Sequence, residues 1–147
     1  MRLLFCLMLA GATLGADVPG VQAVYLLPMA GGLDQYLANR LTSAGVFRVV
    51  TDPKMADAIF TDQLGAGFEQ KLTDLYSPPP EDNDKDSKPP VRASSFGRGK
   101  GTVFLVDLKS HAVIWSLYKK PGRVTPDVLN RTATRIAQEI KKQQKTK

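Results

Sequence analysis

Cysteine and histidine are almost absent from this sequence of 147 residues, which contains one of each, Cys6 and His111. Cys6 lies within an apolar run near the start of the chain, so a chain that loses this run retains no thiol. Disulfides, thiolate nucleophiles and cysteine metal sites are then excluded. A single histidine also argues against a metal site, because histidine ligands occur in clusters. The sequence therefore predicts neither a metal nor another cofactor.

Phosphate-binding motifs are also missing, since neither GxGxxG nor GxxxxGK[ST] occurs. Gly31 and Gly32 stand between a predicted strand and a predicted helix, where free N–H groups at a helix start can contact an anion. The stretch 97–101 (GRGKG) adds Arg98 and Lys100 in a basic, glycine-rich context. These four residues are the candidate anion contacts. A plain strand-to-helix turn and a solvated loop are the simpler interpretations.

The first residues have the layout of a bacterial secretory signal. Met1-Arg2 supplies positive charge, residues 3–9 (LLFCLML) are apolar, and residues 10–16 (AGATLGA) are small enough for a signal peptidase. The apolar run is shorter than the roughly 20 residues that span a bilayer. We expect cleavage after Ala16, with the Ala-x-Ala at residues 10–12 as a second possible site. This predicts a periplasmic or secreted protein; an uncleaved anchor or a buried core helix is the alternative.

The chain is basic, with a formal net charge of +6 and a pI near 9.6. Loss of Arg2 with the leader lowers this charge to +5, and much of the excess lies in four lysines near the end, at positions 141, 142, 145 and 147. Net charge bears on association and not on fold. For an exported chain we expect another envelope protein as partner, with anionic lipid or cell-wall polymer also possible and no nucleic acid.

Hydrophobic patterning predicts one α/β (α+β) domain over residues 17–147. It has a single mixed sheet of about five strands with two helices on one face, in the order β-α-β-β-β-β-α. The first strand, helix and second strand form a βαβ unit, which predicts a parallel pair. The predicted strands are 21–29, 46–50, 58–64, 102–108 and 113–118, and the predicted helices are 33–44 and a long one that begins near Thr125.

A proline-rich, charged segment interrupts this pattern. Residues 77–90 (SPPPEDNDKDSKPP) contain five prolines and six charged residues, which cannot bury enough surface to offset the entropy of ordering. We predict a disordered loop over residues 77–100. A structured lid is the alternative.

Catalytic groups are few. His111 and Ser110 are neighbours in a predicted hairpin turn, where adjacent side chains rarely point at one substrate. Asp52, Asp57 and Asp62 recur every five residues, a spacing that fits neither one helix face nor one strand face. Turn and cap roles are the expected ones for the aspartates, and an aspartate-based hydrolase is the enzymatic alternative. Trp115 is expected in the core, with a platform for a sugar as the alternative.

Three segments resemble the amino-terminal domain of TolB-type periplasmic proteins, curli-secretion lipoproteins and penicillin-binding-protein activators. They are residues 57–61 (DAIFT), 106–108 (VDL) and 112–116 (AVIWS). The resemblance implies an envelope domain without catalysis that binds another protein. The sequence departs from the pattern in lacking a lipid-attachment cysteine, in having His111-Ala112 where a turn glycine is usual, and in its proline-rich insertion. Membrane anchoring and pore formation are therefore not implied.

The function predicted from these features is that of an exported accessory or assembly protein that acts by protein contact and is not an enzyme. The alternative is a small-molecule or anion-binding periplasmic module that uses Gly31, Gly32 and the basic stretch around Arg98.

Overall fold

A computed structural model describes residues 18–78 and 101–146. The predicted signal peptide over residues 1–16 lies outside the described residues, as does the predicted loop apart from Ser77 and Pro78. The described elements are β1 (Ala23–Leu26), α1 (Leu33–Ala44), β2 (Arg48–Val49), β3 (Ala58–Thr61), α2 (Ala66–Tyr76), β4 (Thr102–Asp107), β5 (Val113–Tyr118) and α3 (Pro126–Lys145).

The five strands form one mixed sheet in the order β2-β1-β3-β4-β5. β1 pairs in parallel with both β2 and β3, while β4 runs antiparallel to β3 and to β5. The predicted mixed sheet and the predicted parallel pair are thus confirmed. β1 and β2 are shorter than expected, and β3 ends at Thr61, because its hydroxyl forms a turn with the main chain of Gln63.

The main core lies between the sheet and two helices, α1 and α3. Its sheet side contains Phe60, which lies edge-on to the Trp115 ring at 6.4 Å between centroids. Each helix contributes a stripe of buried residues, Leu33, Leu37 and Leu41 from α1 and Ala133, Ile136, Ala137 and Ile140 from α3. The prediction of two helices on one face is correct for this pair, and Trp115 is a core residue as expected.

One of the three described helices, α2, was not predicted. It covers the face of the sheet opposite to α1 and α3. Ile59 and Val106 are paired across β3 and β4 and point away from the main core, where Phe68 and Leu72 of α2 pack on them. The order of elements is therefore β-α-β-β-α-β-β-α. Phe68 and Leu72 are four residues apart, so the sequence did carry an amphipathic signal for this helix.

The capping residues explain why α1 ends and α3 begins where the sequence predicts. α1 stops at Gly45, which has a φ of 62° and donates to the carbonyls of the last turn. α3 starts after Thr125, whose hydroxyl accepts from the N–H of Val128, with Pro126 in the first helical position.

Candidate functional site

The turn between β4 and β5 is held by one carboxylate. Asp107 Oδ2 accepts from the Ser110 N–H at 2.8 Å and from the Ser110 hydroxyl at 2.6 Å. The Ser110 hydroxyl, opposed by partial burial and aided by main-chain N–H groups and Lys109, lowers the pKa of Asp107. Ser110 is thereby engaged in the turn.

His111 occupies the left-handed region, with a φ of 55°. Its N–H donates to the Asp107 carbonyl at 2.9 Å, and its ring Nδ1 lies 3.5 Å from Glu69 Oε1 on α2, with both side chains exposed. Glycine adopts a φ of this sign more readily than histidine does. The main-chain hydrogen bond and the contact with Glu69 are consistent with a structural role for the predicted hairpin residue.

The three evenly spaced aspartates bind three separate stretches of main chain. Asp52 Oδ1 accepts from the Lys54 N–H at 2.9 Å, which is the predicted cap role. Asp57 Oδ2 accepts from the N–H of Gln22, just before β1, at 3.1 Å. It also accepts from the N–H of Ala23, the first residue of β1, at 2.9 Å.

Asp62 lies at the other end of β3 from Asp57. Its Oδ2 accepts from the Ala30 N–H at 2.8 Å. A strand rises about 3.3 Å per residue, so these two aspartates are separated by roughly 16 Å along β3. The structure thus does not bring the predicted carboxylates into one cleft.

Gly31 and Gly32 form the turn between β1 and α1, with φ values of 69° and 76°. Two carboxylates already bind this turn, because Asp34 accepts from the Met29 N–H and Asp62 from the Ala30 N–H. Their negative charge disfavours a second anion at the glycines themselves. The other candidate anion contacts, Arg98 and Lys100, lie outside the described residues.

A cavity of about 520 Å³ lies beside this turn, at the end of the sheet where β1, β3 and β5 end and β4 begins. Its walls come from the β1–α1 turn, from the first residues of β4, from the β5–α3 connection and from the first half of α3. Gly31 lines it, so one predicted residue belongs to this site. A Cβ on Gly31 would lie 2.5 Å from Val124 Cγ1 in the facing wall, which shows how closely the two walls approach.

The interior of the cavity is apolar, and the basic side chains that line it lie on one wall. Its apolar lining includes Leu33, Val103, Leu117, Val128, Leu129 and Ile136. Lys119, Lys120 and Arg123 of the β5–α3 connection also line it, and Asp62 is the one acidic residue among the described residues of the lining. Lys119 is half-buried, and its Nζ donates to the Thr132 hydroxyl of α3.

Sequence reasoning missed these three basic residues. They occur in a turn-like stretch, residues 119–123 (KKPGR), directly between a strand and a helix. The composition marks a turn, but only the tertiary structure places it against the β1–α1 turn.

The outer edge of β5 is a second candidate site. Among residues 18–78 and 101–146, no strand pairs with it. The N–H of Lys119 donates toward β4, to the Gly101 carbonyl at 2.7 Å. Because main-chain groups alternate along an antiparallel strand, those of Ser116 and Tyr118 point to the open edge. Both side chains are exposed, Tyr118 at 62%.

A bulge modifies the start of this edge. Leu105 pairs with Trp115 and Val106 with Val113, which leaves Ile114 as the extra residue on β5. The regular part of the edge is therefore its second half, from Trp115 to Tyr118. We refer to this half, with its outward main-chain groups, as the β5 edge.

Within the described ranges, no cluster of three or more histidine, cysteine or acidic residues is placed to hold a metal ion. No described helix is both long enough and apolar enough to cross a bilayer.

The chain matches no protein-family model, no curated protein and no solved structure. The resemblance to the TolB-type domain therefore stays a prediction that rests on the sequence segments alone.

Proposed function

We propose that this protein is an exported accessory protein of the bacterial envelope that acts, without catalysis, by adding a strand of another protein to the β5 edge. The observation that carries the proposal is the regular second half of β5, with which no strand of the described residues pairs on its outer side. Proteins usually protect such edges with proline, charge or a covering element, because unpaired N–H and C=O groups promote pairing with other chains. From Trp115 to Tyr118 the strand has neither proline nor charge.

The exposed side chains support the same site. Tyr118, whose own main-chain groups point outward, is 62% exposed, and Val113, which precedes the bulge on the same strand, is 45% exposed. In strand addition, main-chain hydrogen bonds supply affinity and alternate side chains supply selectivity. An aromatic residue that is exposed in the free protein fits this second role.

The placement of the polar side chains is consistent with a function other than catalysis. Asp57, Asp62 and Asp107 each bind main-chain N–H groups. A nucleophile needs a base within hydrogen-bonding reach, and that base needs an orienting group. Ser110, the hydroxyl next to the only histidine, bonds to Asp107.

Site-specific photocrosslinking in the native host tests the proposal. A photoreactive phenylalanine derivative in place of Tyr118 is expected to yield one dominant adduct in the envelope fraction. The same derivative in place of Gln138, which is exposed on α3, is the control and is expected to yield none.

A substitution at Ser116 separates main-chain pairing from side-chain contact. Ser116→Pro removes an outward N–H without touching the β4 ladder, and it is expected to abolish the Tyr118 adduct. Ser116→Ala keeps the N–H and is expected to retain it. An adduct that survives Ser116→Pro, or one with twice the mass of the chain itself, contradicts a heterologous strand at this edge.

A small-molecule binding module is the second candidate, because the structure contains the apolar cavity beside Gly31.

A further inference from the structure

The cavity lies beside the ends of two neighbouring strands, β1 and β3, whose following helices pack on opposite faces of the sheet. β1 and β3 are adjacent parallel strands, and the helix after β1 packs on one face while the helix after β3 packs on the other. Helices that diverge in this way open a crevice beyond the carboxyl ends of the two strands, which is a preferred place for ligands in α/β sheets. Ala30 and Gly31 after β1 and Asp62 after β3 line the cavity at this point.

The size and lining restrict the class of ligand. A volume of about 520 Å³ lies within the range of small-molecule pockets, which is roughly 300–1,000 Å³. Aliphatic side chains of α1, β4, β5 and α3 form its interior. A sugar or a nucleotide needs many hydrogen-bonding partners when it is desolvated, and such an interior cannot supply them. An apolar chain can be buried there at no such cost.

The basic side chains that line the cavity indicate the chemistry of the other end of the ligand. In the described part of the lining, Lys119, Lys120 and Arg123 face one carboxylate, that of Asp62, which accepts from the Ala30 N–H. Lys120 and Arg123 are exposed, whereas Lys119 is half-buried and anchored on Thr132. This arrangement places positive charge between the apolar interior and solvent, where an anionic head group gains both ion pairing and hydrogen bonds.

We infer that the cavity binds an amphipathic anion, with an acyl chain among Leu33, Leu117 and Leu129 and a carboxylate or phosphate head group on Lys119 and Arg123. The inference does not depend on the protein contact proposed for the β5 edge. Free fatty acids and anionic phospholipids share this chemistry.

Calorimetric titration of the mature protein tests the inference with four probes. Dodecanoate and dodecyl phosphate carry both a chain and a charge, dodecanol lacks the charge, and inorganic phosphate lacks the chain. Saturable one-to-one binding is expected for the two amphipathic anions, at least tenfold tighter than for dodecanol, and none is expected for inorganic phosphate. Equal affinity for dodecanol, or no binding of either anion, overturns the inference.

Variants locate the binding. Arg123→Gln and Lys119→Gln are each expected to weaken dodecanoate binding at least fivefold, and Val128→Phe is expected to weaken it by filling the cavity. Lys145→Gln, at the far end of α3, is the matched control and is expected to leave the affinity within twofold. Arg123 is exposed and lies in a connection, so we expect Arg123→Gln to leave the fold intact. An Arg123→Gln affinity equal to the wild type overturns the assigned head-group position.

Native mass spectrometry after incubation with phosphatidylglycerol vesicles separates the two sources. A one-to-one complex with the whole lipid identifies a phospholipid ligand. A dodecanoate complex without any lipid adduct identifies a free fatty acid. Binding to vesicles that Lys119→Gln and Val128→Phe leave unchanged shows surface adsorption and overturns the cavity as the site.

Discussion

At the scale of single residues, carboxylates in this protein stabilise the main chain. Asp34, Asp57, Asp62 and Asp107 each accept hydrogen bonds from N–H groups that no helix or strand satisfies. Unsatisfied main-chain donors are costly, so such side chains fix the loops at the ends of the sheet. Asp57 and Asp62 are five residues apart because they stand at the two ends of the four-residue strand β3.

Asp107 gives stability a dependence on pH. Its pKa is lowered in the folded state, so its contribution is complete above the unfolded pKa of about 3.9 and is lost as pH falls through the lower folded value. At pH 7 we expect Asp107→Asn to cost about 0.5–1.5 kcal/mol, at the low end because the site is largely exposed. Near pH 2 the difference from wild type should shrink, as measured by urea melts at both pH values. Ser110→Ala in the Asp107→Asn background should add little, because the two changes remove the same interaction.

Gly101 cannot be replaced without moving the main chain. Its φ is 82°, and a Cβ there would lie 2.1 Å from the Lys119 carbonyl oxygen. We expect Gly101→Ala to destabilise the fold by at least about 2 kcal/mol, because a left-handed φ and a contact with rigid backbone combine. Gly20→Ala is the control, since a Cβ there meets nothing within 4 Å, and it should stay within about 0.5 kcal/mol. Equal melting temperatures for the two variants would contradict the described β4–β5 geometry.

At the scale of elements, α3 is part of the core. Arg40 of α1 donates to Asn130 of α3 at 2.9 and 2.7 Å, and Gln144 donates to the Val46 carbonyl at 3.2 Å. These bonds join both ends of α3 to α1 and to the residues that follow it. The basic end of the chain is therefore a helix that packs on the sheet.

A truncation on the buried face of α3 measures this contribution. Ile136 is fully buried, so Ile136→Ala should destabilise by about 2–4 kcal/mol, the usual range for emptying an aliphatic site. Lys145→Ala, on the exposed side of the last turn, should fall within about 0.5 kcal/mol. Denaturant melts that show the two variants to be equally stable would mean that α3 does not cover the sheet.

Local signals predict these elements unevenly. The helix at 33–44 could be predicted because Leu33, Leu37 and Leu41 share one face and Gly45 ends it. α2 was not predicted, although Phe68 and Leu72 have helical spacing, and Gly67 in its first turn lowers its helix propensity. β2 was predicted too long, since β-branched residues favour a strand whether or not a neighbour is available to pair.

At the scale of the whole molecule, the cavity could not be predicted from sequence. Gly31 was selected from its place between a strand and a helix, which is a local property. Lys119 and Arg123 face it only because the β4–β5 hairpin and α3 fold back across the ends of β1 and β3. Contacts between residues about ninety positions apart depend on tertiary packing, and no local pattern encodes them.

Export also concerns the whole chain. We expect intact-mass measurement of protein recovered from a bacterial periplasm to show the loss of residues 1–16, because a charged start, an apolar run and small residues direct cleavage after Ala16. A variant with Ala16→Phe is the control and should retain the leader or be cleaved at the earlier Ala-x-Ala. Full-length protein in the cytoplasm would contradict the predicted localisation.

The two edge strands of the sheet differ in length, since β2 has two residues and β5 has six. A polymer built by strand pairing needs two competent ends, one to donate and one to receive. Among the described strands, the β5 edge alone has enough main chain to template a neighbour, and Arg48 adds an exposed charge at the β2 edge. With a partner strand added to the β5 edge as proposed, we expect assembly through this sheet to stop after one addition and not to seed a filament.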